Sequence, residues 1–200
     1  MFPSEEQSRK KENRRLEKPS VAIGQQPVPT AERNDSTRRV SSMKAPLYII
    51  VDVSGSMFEW GKNLIANNTV RAIDQYIRLG KSNVEIKLVA WRKDASIIDW
   101  KLDDELPPSL MTCEGCANAD ALIALLEKTP DAKIVIITDG FWSSADAKKI
   151  KRWKKNLPAD TLRILKIGSD SNPMLKGDEV FPVEDLFAAL DGWLQGGDEW

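Results

Sequence analysis

The stretch that decides the fold is Leu47-Tyr48-Ile49-Ile50-Val51-Asp52-Val53-Ser54-Gly55-Ser56. Its first five residues are all apolar, which is typical of a strand that helices cover on both faces. The stretch then ends in a loop with one carboxylate and two hydroxyl groups. A second apolar run, Ile134-Val135-Ile136-Ile137, ends in the same way in Thr138-Asp139-Gly140. The two stretches predict parallel strands of an α/β sheet, with their polar loops at one edge.

Further helices and strands are predicted between and after these two runs in the sequence. Apolar residues at helical spacing predict helices over 66–77, 119–126, 147–157 and 183–194. Ser143 and Asp146 form a predicted capping box for the third helix. Strands are expected at 84–91, 96–100, 162–167 and 180–181, with 92–95 as a hairpin connection. The order predicts a three-layer α/β domain, with a mostly parallel sheet and one antiparallel strand that the hairpin inserts.

Charge and composition divide the 200-residue chain near residue 46. Residues 1–46 hold ten Lys or Arg and six Asp or Glu side chains, although the net charge of the whole chain is only −1. This segment has few large apolar side chains, so it is predicted to be a disordered basic tail. Residues 47–200 are predicted to form the folded domain, and their acidic balance disfavours nucleic acid as the partner.

The composition also excludes several classes of protein. The chain contains no histidine, so a Ser-His-Asp triad and a His-ligated metal within one chain are excluded. Two cysteines are too few for a disulfide scaffold. No apolar run has the length of a membrane span, and Met1–Lys18 lacks the apolar core of a secretory signal. We therefore expect a cytoplasmic protein.

The polar loops after the two apolar runs contain the candidate metal ligands. Asp52, Ser54 and Ser56 lie in one tight loop, and Asp139 reaches the same edge if the two strands are neighbours. Such hard oxygen ligands suit Mg²⁺, which is held by one or two carboxylates and keeps several waters. Serine and aspartate are also ordinary loop and helix-cap residues. The combination with Thr-Asp-Gly after a second buried strand favours the metal site.

At these residues the chain resembles the von Willebrand factor A (vWA) family, whose metal-ion-dependent adhesion site begins Asp-x-Ser-x-Ser. The resemblance covers roughly 47–195 and includes the inserted antiparallel strand. It is strongest to the compact intracellular bacterial type found with tellurium-resistance and AAA-ATPase-linked systems. The resemblance implies that Asp52, Ser54 and Ser56 form the first metal loop for Mg²⁺ or Mn²⁺, and that Asp139 supplies the third. It also implies that a carboxylate of a partner protein completes the coordination.

The second loop departs from the family pattern. The resemblance implies a ligating threonine just before the second helical stripe, where this chain has Cys113-Glu114-Gly115-Cys116-Ala117-Asn118-Ala119-Asp120. The threonine position falls on Cys116 or Ala117, and neither is a good Mg²⁺ ligand. Thr112, Asn118 and Asp120 are the alternatives, and the sequence leaves open whether the predicted metal site is complete or degenerate.

Three other features have a functional and a structural interpretation. Cys113 and Cys116 have the spacing of a redox pair or half a zinc site, but zinc would need two more ligands, and two ordinary loop thiols are favoured. The helix at 148–155 carries six cations, which are either a solvated face or a docking face for an acidic partner or RNA. Four aromatic residues follow the metal loops and are either contacts for a partner or caps of the sheet: Phe58, Trp60, Phe141 and Trp142.

The sequence thus favours a non-enzymatic adaptor that binds another protein, with no membrane contact. The resemblance implies a AAA-type ATPase, kinase or phosphatase as partner, in a bacterial stress-resistance or defence system. One alternative is an enzyme in which Asp52 and Asp139 hold a metal for phosphoryl transfer or hydrolysis. No activated nucleophile or clear general base accompanies them. The second alternative is an RNA-binding factor that uses the tail and the 148–155 helix.

Overall fold

The computed structural model describes residues 45–80, 84–101, 104–128 and 131–194. The predicted disordered tail, residues 1–46, lies outside the described residues except for its last two. Its disorder and its partners therefore stay predictions. Among the helices that the structure describes, none combines the length and the apolar character needed to cross a membrane.

Six strands form one sheet, and their order across it is β3-β2-β1-β4-β5-β6. Neighbours pair in parallel except β2 and β3, which are antiparallel. This confirms the predicted α/β fold class, including the strand inserted by the hairpin. The strands are β1 (Leu47–Asp52), β2 (Ile86–Trp91), β3 (Ala95–Ile98), β4 (Lys133–Thr138), β5 (Leu162–Lys166) and β6 (Val180–Pro182).

Two strand boundaries differ from the sequence prediction by two residues, and the other differences are of one residue. β2 begins at Ile86 and not at Val84, because Ile86 is the residue that pairs with Leu47 at the start of β1. β3 ends at Ile98 and not at Trp100, because its antiparallel pairing with β2 stops there. In both cases the partner strand sets the boundary, which the local apolar pattern cannot show.

Four α-helices pack on the sheet: α1 (Lys62–Leu79), α2 (Ala119–Leu126), α3 (Ser144–Lys154) and α4 (Leu186–Leu190). The prediction of one helix over 183–194 is wrong in length. A 3-10 turn covers Val183–Asp185, and the chain leaves the helix at Asp191, whose backbone is extended. Gly192 follows with a positive φ of 66°, which ends the helix, although Trp193 and Leu194 remain buried.

The sheet separates two apolar layers. Alternate residues of β1 point to opposite faces, as the period of a strand requires. Leu47, Ile49 and Val51 pack with α1 and α4, whereas Tyr48 and Ile50 pack with α2 and α3. All five are buried, because β1 lies at the centre of a sheet covered on both sides.

This topology brings polar loops to one edge. β1 and β4 are adjacent and in register, with Val51 paired to Ile137, so the loops that follow them leave the sheet side by side. The chain after β1 forms a 3-10 helix over Gly55–Gly61 and continues directly into α1. The start of α1 therefore lies at the same edge as the ends of β1, β4 and β5.

Candidate functional site

The two loops named by the sequence meet at the carboxyl edge of the sheet. Ser56 Oγ donates to Oδ1 of Asp139 at 3.2 Å and lies 3.4 Å from Ser54 Oγ. The backbone N–H of Phe141 donates to the same Asp139 oxygen at 3.1 Å. Asp139 is thus held by the loop after β1 and by its own loop. The structure brings together all four residues of the predicted first and third metal loops, since Asp52 accepts a hydrogen bond from the Ser54 backbone N–H.

Asp52 is buried and surrounded by donors. Its Oδ1 accepts the Ser54 backbone N–H at 2.9 Å, and its Oδ2 accepts the Thr138 hydroxyl at 2.7 Å. The indole N–H of Trp142 lies 3.3 Å from the same Oδ2. Burial raises the pKa of Asp52, because desolvation outweighs these hydrogen bonds and the Asp139 charge adds to it. Both oxygens of Asp52 are engaged within the protein.

A lysine that the sequence did not single out completes the cluster. Lys62, the first residue of α1, places its Nζ 2.9 Å from Oδ2 of Asp139 and 3.2 Å from Oδ2 of Asp170. Lys62 is 1% exposed and the Asp139 side chain 0%, whereas Asp170 is 40% exposed. Burial lowers the pKa of Lys62, but the hydrogen bonds and charges of the two carboxylates outweigh it, so the pKa is raised. The ammonium is therefore charged at neutral pH.

Sequence reasoning missed both Lys62 and Asp170, for different reasons. Asp170 lies in the loop that follows β5, so the rule that gathers the loops of parallel strands at one edge could have found it. Lys62 carries no such signal. A lysine at the start of a helix is ordinarily a solvated residue, and only the packing of the surrounding loops shows otherwise.

The second loop lies against the first through its backbone. The Gly55 N–H donates to the Gly115 carbonyl at 2.9 Å, and the Glu114 N–H donates to the Val53 carbonyl at 3.0 Å. Cys113 is half-buried, and desolvation together with the Asp52 and Asp139 charges raises its pKa to about 11. Both Cys113 and Cys116 are free thiols.

The predicted alternatives in the second loop have other contacts. Cys116 is exposed, and Ala117 is buried without a polar side chain. Asn118 caps α2 by accepting the Asp120 N–H at 3.0 Å, and it also donates to the Lys93 carbonyl. Asp120 is exposed and paired with Lys149, and Thr112 donates to the Pro108 carbonyl. No hydrogen bond of the described structure joins any of these side chains to Asp52 or Asp139.

The four aromatic residues after the loops divide into two kinds. Phe58, Trp60 and Phe141 are 66%, 86% and 49% exposed. Trp142 is partly buried, packs on Trp91 with ring centroids 5.6 Å apart and hydrogen-bonds to Asp52. We call Phe58, Trp60 and Phe141 the aromatic rim. Trp142 is not part of the rim, because it is partly buried against Trp91.

Comparison with known proteins gives structural likenesses only. No family model matches the chain, and no curated protein matches it. Among solved structures, von Willebrand factor type A from Catenulispora acidiphila aligns at 18% identity and a TM-score of 0.43, over 73% of this chain and 36% of that one. An aerotolerance-related membrane protein from Bacteroides fragilis, with multiple mutations to serines, aligns at 18% identity and 0.43, over 67% and 77%. Mussel byssus proximal thread matrix protein 1 aligns at 14% and 0.46, over 74% and 47%.

The first and third of these structures are much longer, since the alignment spans about a third and about half of their chains. The antiparallel strand β3, which the hairpin inserts beside β2, is the feature that the family resemblance implied. The fold is vWA-like.

The donors at the edge of this vWA-like domain do not fit a Mg²⁺ ion as they stand. Magnesium requires a near-octahedral set of oxygens, with free carboxylate lone pairs directed at it. Here Asp52 is engaged by protein donors, Asp139 bonds the Lys62 ammonium, and the second loop contributes no hydroxyl. Within the described residues, no group of three acidic or thiol side chains is placed to hold a metal. Magnesium or manganese binding stays a prediction from the resemblance.

No ion pair of the described structure joins the basic residues of α3 to Asp52, Asp139 or Asp170. In α3, Ile150 and Trp153 are buried, as the stripe predicted, so the cations lie on the outer side. Lys149 pairs with Asp120, and Lys154 pairs with Glu179. Part of the positive charge is thus neutralised within the domain.

Proposed function

We propose that this chain is a non-enzymatic adaptor that binds another protein through the aromatic rim at the carboxyl edge of its sheet. The observation that carries the proposal is the exposure of Phe58, Trp60 and Phe141 beside a buried ionic cluster. Exposed aromatic side chains on a rigid scaffold are the typical anchors of protein interfaces. The vWA-like fold, which commonly serves protein interactions, agrees with this function.

The backbone of the rim supports the proposal. Trp60 has φ 54° and ψ 24°, a left-handed conformation that is costly for a bulky side chain. Gly61 follows with φ 69°, so the chain turns sharply into α1. The turn leaves the indole of Trp60 in solvent, where it contributes nothing to the core. Strain of this kind is retained where a side chain has a task outside the fold.

The state of the reactive groups supports a binding role over catalysis. The raised pKa of Cys113 keeps its thiol protonated at neutral pH, whereas a catalytic cysteine needs a lowered one. The raised pKa of Lys62 keeps its amine charged, so it is neither nucleophile nor base. We therefore propose a module without enzymatic activity of its own.

The identity of the partner is proposed from the family resemblance alone. A AAA-type ATPase, kinase or phosphatase in a bacterial stress-resistance or defence system is the expected class, with the cytoplasm as the compartment. The residues of the rim indicate only that the partner presents an apolar, aromatic or arginine-bearing surface, since these are the groups that pack favourably on phenyl and indole rings.

The test is an affinity purification with matched variants. The tagged full chain and the triple variant Phe58→Ser/Trp60→Ser/Phe141→Ser are used as baits in a lysate of the organism that encodes them. A control bait carries Leu79→Ser/Ile97→Ser/Phe187→Ser, which removes three similarly exposed apolar side chains that lie outside the rim. We expect a protein that the wild type and the control retain and the rim variant loses. Equal capture by all three baits would overturn the proposal.

A further inference from the structure

The Lys62 ammonium lies in a buried position that the fold encloses and does not form an ordinary surface ion pair. Its Nζ bonds Asp139 at 2.9 Å and Asp170 at 3.2 Å, and the residue is almost completely buried. Its aliphatic stem passes so close to Gly168 that a Cβ there would lie 3.1 Å from Lys62 Cδ. The ring of Phe141 lies 5.8 Å from the ammonium. The loops after β4 and β5 and the start of α1 thus enclose one positive charge.

Asp139, which accepts a hydrogen bond from the Lys62 ammonium, is also one of the ligands that the predicted metal site requires. Oδ2 of Asp139 accepts from the ammonium, while Oδ1 accepts from Ser56 and from the Phe141 backbone. A divalent ion near Asp139 would therefore meet a fixed positive charge at close range in a desolvated site, where such repulsion is poorly screened. The second loop offers no hydroxyl to compensate, because Cys116 and Ala117 stand where the threonine is expected.

We propose that the Lys62 ammonium is the permanent cation of this edge, in the place of a divalent metal ion, so that the free chain binds no Mg²⁺ or Mn²⁺ there. The lysine neutralises the buried Asp139 and holds the loops after β1, β4 and β5 together. It does so without a bound ion and at any metal concentration. Removal of the ammonium frees Oδ2 of Asp139 and Oδ2 of Asp170, which together with the nearby Ser56 hydroxyl form an oxygen-rich site that a divalent cation can occupy.

One consequence rests on the proposed function. A partner that docks on the aromatic rim meets a satisfied lysine–carboxylate pair and not an open coordination position on a metal. Its affinity is then the same in Mg²⁺ and in EDTA.

Calorimetric titration of Mn²⁺ into the purified free chain tests the proposal. Five proteins are compared after circular dichroism has shown that each is folded: the wild type, Asp139→Asn, Lys62→Arg, Lys62→Ala and Lys62→Ala/Asp139→Asn. We expect no binding to the wild type or to Lys62→Arg, which keeps the charge. We expect one equivalent to bind Lys62→Ala at least about tenfold more tightly than the weakest affinity that the titration detects, with this binding lost in the double variant.

Two results would overturn the proposal. One is stoichiometric Mn²⁺ binding to the wild type that Asp139→Asn removes, and the other is a folded Lys62→Ala that binds no Mn²⁺. If Lys62→Ala does not fold, Lys62→Gln replaces it, and the wild-type titration decides by itself whether the native edge takes a metal. These titrations contain no partner, so their failure leaves the adaptor proposal standing, and failed capture by the rim leaves the cation proposal standing.

Discussion

Lys62 and Asp139 form an ion pair of 2.9 Å in which neither side chain is more than 1% exposed, although they lie 77 positions apart in the chain. Taking both charges out of water is costly, and the contact and its hydrogen bonds must offset that cost. The pair therefore depends on the loops around it, and the loops depend on the pair. It couples the start of α1 to the end of β4 at the edge where we place the function.

Removal of the lysine charge should destabilise the domain strongly. Lys62→Met leaves Asp139 buried without a counter-charge, which we expect to lower the free energy of unfolding by about 3–5 kcal/mol. Urea denaturation followed by circular dichroism measures this change. Asp170→Asn is the matched control, because that carboxylate is partly exposed and its contact should contribute about 1 kcal/mol or less.

A double-mutant cycle separates the pair from its surroundings. Lys62→Met/Asp139→Asn removes both charges, so the loss should be smaller than the sum of the two single losses. Strictly additive losses would mean that the two side chains do not interact energetically in the folded protein.

Two substitutions of Trp60 should separate the cost of its left-handed backbone from the contribution of its indole to partner binding. Trp60→Gly relieves the left-handed backbone, whereas Trp60→Ala removes the same indole but keeps a Cβ in that conformation. We expect Trp60→Gly to be more stable than Trp60→Ala by about 1 kcal/mol in urea denaturation, while both reduce partner capture alike. Equal stabilities would show that the backbone at residue 60 is not strained.

Asp146 should stabilise the domain in a pH-dependent way. One oxygen accepts the Ala119 N–H of α2 at 3.1 Å, and the carboxylate also accepts the Ser143 hydroxyl, so it joins the starts of α2 and α3. Burial raises the pKa of Asp146, but the hydrogen bonds from Ser143 and Ala119 outweigh it, and the pKa lies below its ordinary value of 3.8.

The sign of the pH effect follows from this lowered pKa. The folded state favours the carboxylate, so its stabilisation is complete above pH 3.8 and is lost as the pH falls below that value. We expect Asp146→Ala to cost about 1 kcal/mol at pH 7, and less at pH 3. The exposed Asp131→Ala serves as the control. If Asp146→Ala lowered the free energy of unfolding equally at pH 7 and pH 3, the lowered pKa of Asp146 would be contradicted.

Cys113 should react slowly with alkylating reagents. Its pKa of about 11 leaves less thiolate at pH 8 than an ordinary thiol has, and the greater nucleophilicity of the more basic thiolate recovers only part of the rate. In Cys116→Ser, we expect iodoacetamide to modify the folded chain at least about tenfold more slowly than the same chain in urea. Equal rates would show that burial and the two aspartates do not act on this thiol.

The local pattern of the sequence determined most of the elements. The apolar runs at Leu47–Val51 and Ile134–Ile137 became central parallel strands, and the stripe over 66–77 lies within α1. Ser143 caps α3 by accepting the Asp146 N–H. These features depend on residues a few positions apart, where strand and helix periods and capping chemistry act directly.

The extent of α4 needed tertiary information. The apolar stripe continues through Leu194, but the helix ends at Leu190, and Trp193 reaches the core from a turn. A stripe shows which side chains are buried. It does not show that a single helix buries them, because a turn at Gly192 can direct the same residues inward.

The sequence by itself determined that Asp52, Ser54, Ser56 and Asp139 lie at one edge of a vWA-like sheet, since parallel strands bring their following loops to the same side. Only the tertiary structure showed which other charged side chains contact these residues. Lys62 meets Asp139 and Asp170 across 77 and 108 positions of chain, through the register of β1, β4 and β5 and the turn at Trp60. A sequence pattern records local periodicity, whereas a buried ion pair is decided by which distant groups desolvate each other.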